Sequence, residues 1–156
     1  MKYIPTLSPR HARYVRDAIA DRGADRGADP AAIFEQIELD LSNEPEQIKP
    51  IPVATFSRLL DIAARQLGDP YFGMHVAQGF HHESSGLMIL TTLSAPTLEA
   101  GLKTLLRYDK QIDSGIDMAL SIHADTFELS LSLIYPLNAE HSQLNEYLTA
   151  LLVAHR

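Results

Sequence analysis

Apolar residues recur with helical spacing over the first two thirds of this chain and with a spacing of two over part of the last third. The clearest helix is 53–67. Val53, Phe56, Leu59, Leu60, Ala63, Ala64 and Leu67 make one stripe, and Gly68 stops it. Ser8-Pro9 starts an earlier helix with Val15, Ala18 and Ile19 on one face. Asp29-Pro30 starts a second, short one with Ile33, Phe34 and Ile37 turned inward. Residues 42–52 carry Pro45, Pro50 and Pro52 and read as an extended polar connection. Asp69-Pro70 predicts another short helix ending near Gly79, with the carboxylate as cap and the proline at the first helical position.

After a polar loop at 80–86, residues 87–93 are apolar on nearly every side and should be buried; periodicity alone does not choose helix or strand there. Ser94-Ala95-Pro96-Thr97 places a hydroxyl cap before a helix over 98–110, whose stripe is Leu98, Leu102, Leu105 and Leu106. The period then changes. Ile116, Met118, Leu120 and Ile122 alternate with polar or small residues, and after His123-Ala124-Asp125 the alternation resumes with Phe127, Leu129, Leu131 and Leu133. This predicts an antiparallel hairpin with one buried face. Asn138 caps a last helix bearing Leu144, Tyr147, Leu148, Leu151 and Leu152. The fold class is therefore α+β: a helical N-terminal half, then a helix, a β-hairpin and a closing helix. One domain over 1–156 is expected, with a helical part at about 1–95 and a mixed part at about 96–156.

Composition narrows the functions available. The chain has 156 residues, 46% of them hydrophobic and 21% charged, which is enough apolar material for one core. With no cysteine, disulfides, thiolate metal sites and cysteine nucleophiles are excluded. No apolar run approaches the ~20 residues of a membrane span, and the start Met-Lys-Tyr-Ile-Pro lacks a signal-peptide core, so a cytoplasmic protein is expected. The net charge of −7 is uneven. Residues 1–30 hold six basic and four acidic groups, and residues 31–156 seven basic and sixteen acidic. Such a surface repels phosphates, so DNA binding by this polypeptide alone is not expected. A tandem Ala-Asp-Arg-Gly at 20–27 reads as a duplication lengthening a surface loop, with Asp21, Asp25 and Asp29 neutralising Arg22 and Arg26.

Catalytic and metal signatures are weak. His75, His81, His82 and Glu83 are the one dense group of metal-capable side chains, but adjacent His81 and His82 diverge in any regular structure, and a solvated loop explains them. Ser84, Ser85, Ser94 and Ser114 have no nucleophile-elbow context, and Asp109 and Asp113 do not make a carboxylate pair because Asp113 lies at or past a helix end. No metal, no cofactor and no enzymatic activity are expected. A helix-turn-helix made of 30–38 and 53–67 fails because the connection is far longer than that motif's tight turn. More telling are polar groups on apolar faces. Asp109 falls within the stripe of helix 98–110, and His141 falls on the face of Leu144, Leu148 and Leu152. Either both sit near helix ends where solvent reaches, or they anchor a sensor pocket between helix and hairpin.

Three segments carry a family resemblance: GDPYFGMHVAQG at 68–79, LSAPTLEAGLKTLLRY at 93–108 and NEYLTALLVA at 145–154. Together the chain resembles the N-terminal effector-binding domain, of the arabinose-binding type, of AraC-family bacterial transcription regulators. The resemblance implies a small-molecule effector, a homodimer, and DNA contact only through a separate C-terminal domain; the last helix shows no stop signal, so a fragment is expected. On this reading Asp109, His141 and Tyr108 are the candidate ligand-binding residues. Leu144, Tyr147, Leu148, Leu151 and Leu152 are the candidate dimer interface. A stand-alone small-molecule or protein interaction domain is the alternative, and an enzyme of unrecognised type a weaker one.

Overall fold

In the computed structural model the described residues are 4–24, 27–39, 49–79, 91–92, 94–134 and 142–154. Their elements run β1 (Thr6–Leu7), α1 (Pro9–Gly23), α2 (Pro30–Glu35), β2 (Ile51–Pro52), α3 (Val53–Leu67), α4 (Phe72–Gln78), α5 (Leu98–Ile112), β3 (Ile116–Ile122), β4 (Phe127–Leu133) and α6 (Ser142–Ala154). The arrangement is α+β, with two separate antiparallel strand pairs, β1–β2 and β3–β4.

The ends of the helices follow local chemistry. Ser8 caps α1 through its hydroxyl and Pro9 takes the first helical position. Asp29 caps α2 by accepting the Ala31 N–H at 2.9 Å. Gly68 ends α3 in the left-handed conformation at φ 60°, and the Asp69 N–H reaches back to the Ala64 carbonyl at 2.9 Å. The tandem Ala-Asp-Arg-Gly departs from the loop expected of it. Its first copy is the last turn of α1, because Gly23 packs against Ala28 and Leu67 instead of breaking the helix. Within Ser94-Ala95-Pro96-Thr97 the capping hydroxyl is that of Thr97, which accepts the Ala100 N–H at 3.1 Å. The Asp69-Pro70 start is also displaced. Asp69 holds a turn by accepting the Tyr71 N–H, and α4 begins at Phe72.

One hydrophobic core lies among α1, α2, α3, α4 and α6. It contains Val15, Ile19, Ile33, Phe56, Leu59, Leu60, Phe72, Leu144 and Tyr147 among others, and from the hairpin only Ile116 is fully enclosed in it. The closing helix α6 packs on α4 and α3, so it returns to the helical part instead of completing a mixed unit with the hairpin. Close approach at Gly73 permits this. A Cβ there would stand 2.1 Å from the Gln143 carbonyl oxygen.

Helix α5 packs along β3, and the hairpin register pairs Ile116 with Leu133, Met118 with Leu131, Leu120 with Leu129 and Ile122 with Phe127. The predicted alternation is present, but only the base of the apolar face is covered. Met118, Leu131 and Leu133 lean on the core, whereas Ile122 and Phe127 at the tip are each 50% exposed. The apolar segment 87–93 and the Asn138 cap lie outside the described residues, apart from Thr91 and Thr92, which are helical.

Candidate functional site

The N-terminal segment is stitched to the base of the hairpin by a buried polar network. Tyr147 from α6 reaches His11 of α1, with its hydroxyl 2.6 Å from His11 Nδ1. His11 Nε2 lies 3.1 Å from Asp113 Oδ2, just past the end of α5. The other carboxylate oxygen of Asp113 accepts the Ser8 N–H at 2.6 Å. An ionised carboxylate can only accept, so Nε2 donates to Asp113. Burial pushes the Asp113 carboxyl upward, but the adjacent His11 ring, the Ser8 N–H and Arg10 outweigh it and hold the group below its ordinary value. Complete burial, then the Asp113 carboxylate and Tyr14, raise the Tyr147 phenol well above 10.0. Beside this network the Gly115 N–H donates to the Thr6 carbonyl at 2.8 Å and the Thr6 N–H to Ser114 Oγ at 3.2 Å. The chemistry is a closed chain of satisfied groups with no open face for a reactant, so it positions elements.

Sequence reasoning missed this network. His11, Val15 and Ile19 stand at i, i+4 and i+8 on the buried stripe of α1. The same wheel argument applied to Asp109 and His141 would have found His11.

Among the described residues, two concavities that open onto solvent bear on function. The first is a groove of about 240 Å³ between the start of α5 and the tip of the hairpin. Leu98, Leu102, Leu120, Ile122 and Phe127 give it apolar walls, and Glu99, His123 and Asp125 stand among them. Leu98 is 63% exposed, so with Ile122 and Phe127 it makes a continuous apolar patch. Glu99 is neutralised by Lys103 one turn on, whereas no cation among the described residues pairs with Asp125. Apolar walls with a few polar groups are the usual makeup of a small-molecule site.

The second is a cleft of about 780 Å³ between α3, the turn 68–70 and the start of α6, lined by Arg58, Asp61, Arg65, Asp69 and Gln143. Asp69 is bound on one side by His75 Nδ1 at 2.8 Å and by Arg22 at 3.4 Å. Gln143 joins the walls: its amide donates to the Pro70 carbonyl at 2.7 Å and accepts the Gly73 N–H at 2.8 Å. Much of the GDPYFG segment is thereby explained as architecture. Gly68 turns the chain, Asp69 holds the turn, Phe72 fills the core and Gly73 lets α4 meet α6.

The expected site residues fare unequally. A concavity between helix and hairpin is present, but it lies at the opposite end of α5 from Tyr108 and Asp109, six or more residues from Leu102 and thus on the order of 10 Å along the axis. Tyr108 is exposed; the Asp109 side chain and all of His141 lie outside the described residues. The expected interface stripe lies on α6. Leu144, Tyr147 and Leu148 are buried, on a helix that packs against the chain's own α3 and α4. Leu151 is half-buried, and the Leu152 side chain lies outside the described residues. His81, His82 and Glu83 also lie outside them; among the described residues no group of three His, Asp or Glu is placed to hold a metal ion. No described helix is long and apolar enough to cross a membrane.

Comparison with known families gives a match over most of the chain. The sequence model described as the arabinose-binding domain of AraC transcription regulator, N-term, matches residues 27–156. No curated protein matches the chain.

Proposed function

Because this chain belongs to the family of N-terminal arabinose-binding domains of AraC transcription regulators, a family of ligand-binding regulatory domains and not of enzymes, we propose that it senses a small-molecule effector for a cytoplasmic bacterial regulator, that it dimerises, and that occupancy is passed to a separate helix-turn-helix domain. The effector seat in this reading is the groove between α5 and the hairpin tip. The observation that carries it is the uncovered apolar patch of Leu98, Ile122 and Phe127 around that concavity. Fully burying one such side chain stabilises by about 1.5–3 kcal/mol, and an apolar effector would gain part of that from each. Asp125, unpaired among the described residues, selects for a cationic or hydroxylated group on it. The word arabinose is the family's description and does not name this chain's effector.

The hairpin is pinned to the helical core at its base by Asp113, Ser114 and Gly115 and is uncovered at its tip. An effector gripping the tip therefore acts on a lever whose fulcrum is the His11–Asp113–Tyr147 network. Coupling requires the effector to favour one of two arrangements of that lever. Asp109, His141 and Tyr108 remain proposed anchors at the far end of α5, for an effector long enough to reach them.

A metabolite screen by thermal shift tests this reading. A true effector at a hundred times its dissociation constant adds about 2.7 kcal/mol, a melting rise of roughly 5–11 °C for a domain of this size. The rise should vanish in a Phe127→Ser variant, whose fold is preserved because the ring is half exposed. Loss of the rise in Asp109→Asn as well would extend the site down α5. A hit that stabilises wild type and Phe127→Ser equally removes the groove from the account.

A further inference from the structure

We propose that the outer edge of β4 pairs with β4 of a second copy of this chain, antiparallel about a two-fold axis at Ser130, so that two hairpins join into one four-stranded sheet. This surface rests on the proposed dimerisation, and it is independent of the effector groove. β4 pairs with β3 on one side, and among the described residues no strand and no backbone group meets its other side. The two ends of the ladder show which groups face outward. The His123 N–H donates to the Thr126 carbonyl at 2.8 Å, and the Ile134 N–H to the Gly115 carbonyl at 2.9 Å. In the register of 116–122 against 133–127, the even-numbered residues of β4 therefore bond to β3. The N–H and C=O of Phe127, Leu129, Leu131 and Leu133 point away from it.

A two-stranded sheet is marginal in water, and this edge carries none of the usual defences. Residues 127–133 contain no lysine and no proline, and the register runs without a bulge. Such an edge takes a further strand, and a second copy fits it. With the axis at Ser130, Phe127 lies opposite Leu133 of the second copy and Leu129 opposite its Leu131, so every outward N–H and C=O finds a partner. These pairs are apolar and share one face of the sheet. On the other face Ser130 meets Ser130 and Glu128 meets Ser132, so the strand's single charge meets no like charge. Helix α5 packs on β3, three strand spacings or about 14 Å from its counterpart. That leaves room for two helices of about 10 Å diameter.

Sedimentation of the full 156-residue chain over a concentration series tests the pairing. The chain should pass from monomer to dimer. Ser130 is exposed, and Ser130→Lys sets two ammonium groups against each other on the axis, weakening the dimer at least about threefold. Ser132→Lys sets each ammonium opposite Glu128 of the second copy and should tighten the dimer by about threefold. Ala119→Lys, also exposed on that face but on β3, holds its two charges about 14 Å apart, beyond the Debye length at physiological salt, and should change nothing. By hydrogen exchange, the Leu129 and Leu131 amides should be slow in the dimer and fast on dilution, while those of Ser130 and Ser132 stay slow. A dimer indifferent to both serine substitutions overturns the strand surface and leaves dimerisation standing; weakening by both alike overturns the axis at Ser130. A chain monomeric at millimolar concentration overturns surface and dimerisation together. Slow exchange at Leu129 and Leu131 in the dilute monomer would mean that the chain covers its own edge, and overturns the proposal too.

Discussion

His11, Asp113 and Tyr147 carry the strongest single-residue consequences in this chain. Tyr147→Phe removes the hydroxyl and leaves His11 Nδ1 without its partner in a buried place, a loss of about 1–3 kcal/mol. The two shifted groups give opposite pH signatures. Asp113 is held below its ordinary 3.8 in the fold, so its contribution is present above pH 3.8 and is lost as the pH falls from there through the lower folded value. The phenol of Tyr147 is raised above 10.0, so its contribution is intact below pH 10 and is lost as the pH rises beyond it. Denaturant unfolding across pH should show wild type losing stability at both ends. Asp113→Asn should flatten the acid limb selectively and Tyr147→Phe the alkaline one. Equal slopes in wild type and variants would contradict the network. Tyr147 also shows what a single sequence hides. Its place on the apolar stripe of α6 was legible; whether the stripe faced α3 and α4 or a second subunit was not, because periodicity says which face is buried and not by what.

Elements were legible where local chemistry decides them. Helix α3 and both strands of the hairpin fall at the positions their periods predict, since Gly68, the changes of period and the turn at 123–126 mark them. The short pair β1–β2 was not legible: two residues on each side carry no period, and the Pro52 segment reads as a polar connection until Thr6 and Leu7 lie beside it. The start of α4 was misplaced because Asp69 has competing partners, His75 and Arg22, that no local rule includes. The docking of α4 on α6 was equally hidden, and it yields a direct prediction. Gly73→Ala drives a methyl toward the Gln143 carbonyl and must push the helices apart, at a cost of about 1–3 kcal/mol. Calorimetry should show melting lowered by roughly 2–4 °C for each kcal/mol. An unchanged melting temperature would mean that α4 and α6 are not in contact at Gly73.

For the whole molecule, the division of labour is between a closed helical core and a helix–hairpin unit whose tip stays uncovered. The core holds its large apolar side chains internally, Leu144, Tyr147 and Leu148 of α6 among them. The hairpin spends its own only at the base. That asymmetry supports placing the effector at the tip. The helical wheel marks Asp109 and His141, whereas the groove is lined by Glu99, His123 and Asp125, which no period marks, because a groove formed at a hairpin's end depends on how far the core extends beneath it. The most direct measurement is an amide NMR titration of the full chain with an effector found by thermal shift. The account predicts shifts concentrated at 98–102 and 120–127, with smaller ones at 113–115 where the hairpin is pinned. Shifts confined to the helical core, with the hairpin tip silent, would contradict it.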